Sequence, residues 1–106
     1  MINAENMKTA NTSTMTIPTM RLETEHLKTD FFIESEGAEE LLVGGFAKVA
    51  RGMRRSQDLY DALNKYWHSK SYIKMGILYA GHGYTVIQLR NSRLNYLIGH
   101  IEITSK

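Results

Sequence analysis

A chain of 106 residues, 42% hydrophobic and 23% charged, is long enough for one packed core and too short for two. Its net charge of +2 and ordinary composition exclude the highly charged, apolar-poor profile of disordered chains. The lack of cysteine removes disulfides, thiol nucleophiles and thiolate zinc sites together, a pattern that suits the cytoplasm.

Residues 1–20 hold a single lysine and no apolar run, so they lack the basic and hydrophobic parts of a secretory signal. The longest apolar stretch, residues 41–47, is far below the ~20 residues of a membrane helix. Residues 1–16 are rich in Thr, Asn and Met without any period, and are expected to be a disordered tail ahead of a single α+β domain over residues 17–106. Met7, Met15 and Met20 are candidate alternative translation starts within or beside that tail.

Met20, Leu22, Thr24 and His26 alternate weakly, and residues 29–35 (TDFFIES) have the apolar, β-favouring centre of a short strand. Residues 38–53 place Ala38, Leu41, Leu42, Phe46, Val49, Ala50 and Met53 on one helical arc, with Lys48, Arg51, Arg54 and Arg55 on the opposite one. Gly44 and Gly45 inside that helix imply a kink or a close approach by another backbone. Gly52 is a stop signal and Ser56 an N-cap for a second helix, whose apolar face is Leu59, Tyr60, Ala62, Leu63, Tyr66 and Trp67.

From Ser71 onward the period becomes two, which predicts an antiparallel meander over residues 71–79, 84–90 and 95–104. The register that best separates apolar from polar positions puts Leu78 opposite Tyr84 and Arg90 opposite Tyr96. Ile73, Met75, Ile77, Tyr79, Ile87, Leu89, Leu97, Ile101 and Ile103 then face the helices. The other face collects Tyr72, Lys74, Tyr84, Val86, Gln88, Arg90, Tyr96, Ile98, His100 and Glu102. The expected fold is therefore a helical hairpin packed on a C-terminal three-stranded antiparallel meander, with one or two short N-terminal strands.

Charge is unevenly spread along the chain. Residues 21–40 carry seven acids against two bases, and residues 41–106 carry ten bases against three acids. That asymmetry fits an acidic partner for the basic part, or an acidic segment folded onto it. Tyr72, Lys74, Tyr84, Arg90, Tyr96 and Ile98 form the candidate partner-binding surface, because an aromatic and apolar patch edged by Arg has the composition of binding hot spots.

Lys48, Arg51, Arg54 and Arg55 are the candidate nucleic-acid contacts, having the charge and spacing to track phosphates. A helix-turn-helix around Gly52 fails on spacing, since charged Lys48, Asp58 and Asp61 occupy its small and apolar sites. Gly81, His82 and Gly83 lead into a strand and read as a hairpin turn rather than a phosphate loop. In the expected register His82, His100 and Glu102 converge at one end of the sheet, but without the spacing of a helical metal site, and no metal or cofactor is expected.

The element order is similar to that of RelE-type messenger-RNA-cleaving toxins, a likeness that no residue motif accompanies. These features predict a small non-enzymatic binding module that regulates or inhibits a larger protein or acidic macromolecule by surface contact, a profile shared with phage and plasmid accessory proteins. The alternatives are a nucleic-acid-binding regulator using the basic helix face and, on element order alone, a small RNase-type toxin. A homodimer is compatible with the exposed sheet face.

Overall fold

The computed structural model describes residues 17–106, so the expected tail over residues 1–16 lies outside the described residues. Strands β1 (Met20–Glu23) and β2 (Leu27–Ile33) form a hairpin. The hydroxyl of Thr24 closes it by accepting the amides of His26 and Leu27 at 3.4 and 3.1 Å. Two helices follow, α1 (Ala38–Val49) and α2 (Ser56–Ser71), then β3 (Ile73–Gly81), β4 (Tyr84–Asn91) and β5 (Tyr96–Ser105).

All five strands join one antiparallel sheet in the order β1-β2-β5-β4-β3. The α+β architecture is the expected one, and the N-terminal strands extend the meander beside β5. Leu42, Phe46, Leu59, Leu63 and Trp67 of the helices bury against Leu27, Phe31, Ile73, Ile87, Leu89, Ile101 and Ile103 of the sheet. The helices therefore cover one face. No helix among the described residues is long and apolar enough to cross a membrane.

Helix α1 opens after Gly37, which is left-handed (φ 84°), and carries Glu39 and Glu40 in its first turn, where the helix dipole favours them. It ends before the expected Met53: the Ala50 amide closes on the Phe46 carbonyl at 2.9 Å, and Gly52 reverses the chain at φ 79°. Leu41, expected on the core arc, is exposed. Ser56 is the first residue of α2 rather than its cap. Its hydroxyl instead forms a buried 2.9 Å hydrogen bond with the Thr85 hydroxyl, tying the start of α2 to β4. The capping position belongs to Arg55, whose guanidinium donates twice to Asp58 at 3.0 Å.

The two glycines of α1 have different roles. Gly44 faces open space, whereas a Cβ on Gly45 would overlap the indole of Trp67, which is fully buried. The close approach is thus made by an aromatic ring of α2 and not by a second backbone. Gly45→Ala should destabilise the fold by about 1–3 kcal/mol through overpacking. Gly44→Ala should stabilise it by up to about 1 kcal/mol, since only helix propensity changes there. Urea titration of both variants separates the two outcomes.

Candidate functional site

The face of the sheet turned away from the helices is set by strand register. Ile73 pairs with Asn91 and Ile77 with Ile87, after which a bulge at Leu78 shifts the ladder so that Tyr79 meets Val86 and Gly81 meets Tyr84. Between β4 and β5, Tyr84 pairs with Thr104 and Leu89 with Gly99, and a second irregularity then brings Arg90 to Leu97 and Asn91 to Tyr96. Both pairings are displaced from the expected register. Through most of each strand the displacement is an even number of residues, which leaves the faces as predicted.

The two irregularities change the faces locally. Tyr79 leaves the helix side and joins Val86, and Leu97 joins Arg90 on the open face. Ile98, expected on the binding face, turns into the core and is 3% exposed. Tyr96 is 42% exposed but shares its cross-strand row with Asn91 and Ile73, not with Lys74 and Arg90. Tyr72 precedes β3 as the left-handed cap of α2 (φ 58°), where its carbonyl accepts the Ser92 amide and hydroxyl at 2.7 and 2.9 Å. The Arg93 guanidinium lies 5.5 Å from the Tyr72 ring centroid. Of the expected six, Lys74, Tyr84 and Arg90 stand on the open face of the sheet, with Tyr84 at the far end beside Tyr79.

Charge divides this face in two. On the β1-β2-β5 side, the Arg21 guanidinium donates twice to Asp30, at 2.6 and 3.2 Å, and Lys106 meets Glu23 at 2.8 Å. The hydrogen bond to Asp30 raises the pKa of Arg21, and the one from Lys106 lowers that of Glu23. His100 stacks on Phe32 at 4.5 Å and lies 3.6 Å from Glu102. Burial, with Glu102 nearby, raises the pKa of Tyr84. Asp30 and Glu23 are thus paired locally and by Lys106, and no salt bridge among the described residues joins the acidic segment to the basic residues of β3 and β4.

Those residues line a groove of about 320 Å³ formed by Lys74, Met75, Gly76, Gln88, Arg90, Asn91, Ser92 and Asn95. Lys74 and Arg90 are cross-strand partners and form no salt bridge among the described residues. Gly76, opposite Gln88, has nothing near its missing side chain, so the strand backbone is bare at this point. Asn91 fixes one wall: its Oδ1 accepts the Arg93 and Leu94 amides at 3.0 and 2.6 Å, and its backbone carbonyl accepts the Asn95 amide at 2.8 Å. Gly76, Gln88, Asn91, Ser92 and Asn95 were not among the expected site residues. The signal available for them was a glycine within the uncharged run of residues 75–81 of β3.

The expected basic helix face is broken up. Lys48 lies near the end of α1, Arg51 and Arg54 are exposed in the connection, and Arg55 is held by Asp58. Of His82, His100 and Glu102 only the last two come together, at 3.6 Å on β5: Glu102 pairs with Val86 and His100 with Gln88, two steps along the strand from the expected positions, while His82 sits in the β3–β4 turn. No group of three metal-ligating side chains occurs among the described residues. No protein-family model, curated protein or solved structure matches this chain.

Ile98→Ala should cost about 2–4 kcal/mol of stability by emptying core volume, while Lys74→Ala and Arg90→Ala should stay within about 0.5 kcal/mol of the parent. Chemical denaturation of the three variants measures this directly, and an Ile98 variant as stable as the other two would return that side chain to the surface.

Proposed function

We propose that this chain is a small non-enzymatic binding module that acts in the cytoplasm and regulates or inhibits a larger protein, seating an acidic segment of that partner in the Lys74–Arg90 groove. The observation that carries this reading is the pairing of two cations without acidic partners among the described residues across a strand bared by Gly76. An Arg and a Lys held side by side offer charge-assisted hydrogen bonds to carboxylates. Asn91, Ser92, Asn95 and Gln88 add neutral donors and acceptors around them. The remainder of the open face, with Phe32, Val86 and Leu97 half-buried, supplies apolar area next to that charge.

The nucleic-acid reading has less to rest on, because Arg55 is engaged by Asp58 and the remaining cations are spread between a helix end and a connection. The two readings predict different footprints. In a titration of the isotope-labelled full chain with a glutamate-rich peptide, followed by NMR, the amides of Gly76, Gln88 and Arg90 should move, and Lys74→Ala or Arg90→Ala should each weaken binding about tenfold. Single-stranded RNA of equal charge should bind more weakly than the peptide. Shifts confined to residues 48–55, or stronger binding of the RNA with a steep salt dependence, would support the nucleic-acid regulator instead.

A further inference from the structure

β3 is an edge strand, and among the described residues only β4 hydrogen-bonds to its residues 76–81. Just before them, the Tyr60 hydroxyl reaches the Met75 carbonyl at 3.4 Å. Edge strands with free backbone groups usually carry lysine, proline, an inward-facing charge or a bulge that hinders further pairing, and of these the stretch over residues 76–81 has only the single-residue bulge at Leu78. Here Ile77, Leu78 and Tyr79 are 44%, 61% and 55% exposed, and no Asp, Glu, Lys, Arg or Pro occurs between Met75 and Leu89. The opposite edge differs: β1 has four residues and presents Arg21 and Glu23, both in ion pairs.

We propose that β3 pairs antiparallel with β3 of a second copy about a two-fold axis, joining two five-stranded sheets into one. Self-pairing suits this strand because its uncharged middle opposes itself. About an axis near Leu78, Lys74 of one copy and Lys74 of the other lie roughly 25 Å apart, well beyond the screening length at physiological salt. β1 forms the far edge of the sheet. The charged, short β1 halts growth from that side, so association closes at the dimer. The axis runs perpendicular to the sheet, which keeps the helices on one side and places both Lys74–Arg90 grooves on the other. This pairing rests on the edge and not on the groove, and stands or falls separately from the binding reading.

Analytical ultracentrifugation of the full chain from about 1 to about 300 µM tests the proposal. A reversible monomer–dimer equilibrium is expected, with a monomer of 12.1 kDa. Leu78→Lys should raise the dimer Kd at least about tenfold while the thermal midpoint at the lowest concentration stays unchanged. Hydrogen exchange of the unmodified chain provides a second readout, in which amides of residues 75–79 gain protection as concentration rises. A monomer throughout the range, open-ended growth, a dimer indifferent to Leu78→Lys, or association without protection at β3 would each overturn it.

Discussion

The antiparallel pairing of β2 with β5 joins residues near the two ends of the domain, running from Leu27 opposite Ser105 to Ile33 opposite Gly99. Without it the N-terminal hairpin would be a separate two-stranded piece, marginal at best on its own, and the meander would lose Leu27 and Phe31 from its core. The pairing brings Phe31 beside Ile101 and Thr29 beside Ile103, and so supplies half of the floor on which the helices rest. Its tightest point is Gly99, with φ 150°, where any side chain would overlap the Phe32 carbonyl. The Ile98 carbonyl next to it accepts the amides of both Glu34 and Ser35, at 2.6 and 3.2 Å, which steers the chain out of β2 toward α1. A glycine thus allows β5 to occupy the centre of the sheet.

Alternation and helical periodicity made much of this fold legible in the sequence. The face of α2 could be read because Leu59, Leu63 and Trp67 recur at helical spacing and all three are fully buried. The sides of β3, β4 and β5 could be read even though the register was displaced, because an even displacement preserves the alternation. What alternation cannot encode is an inserted residue. Leu78 and the stretch around Ile98 each interrupt the ladder, and each exchanges the sides of its neighbours, which is why Tyr79, Tyr96, Leu97 and Ile98 were misplaced. Leu41 was misread for another reason: it lies on the margin of the helix arc, where the sheet below decides how much of α1 is covered.

The candidate site shows the same division. Lys74 and Arg90 were found because they sit in regular stretches of their strands, away from the irregularities. The groove beside them depends on the Asn91 turn, whose geometry comes from an asparagine side chain bonding to the amides that follow it. Composition showed the charge imbalance between the acidic and basic parts, but not its resolution. Arg21 and Lys106, one within the acidic segment and one at the far end of the chain, neutralise Asp30 and Glu23, and the basic residues of β3 and β4 are left facing outward.

The seat of Trp67 has an optical consequence. The chain contains a single tryptophan, it is fully buried, and its indole nitrogen has no hydrogen-bond partner among the described residues. An indole excited in such surroundings lacks the mobile dipoles that relax its excited state, so it emits toward the blue. Separation of α1 from α2 admits water and moves the emission toward the red. One wavelength therefore reports whether the two helices are docked, without any label, and distinguishes loosening at Gly45 from events on the far side of the sheet, where the fluorophore has no contact.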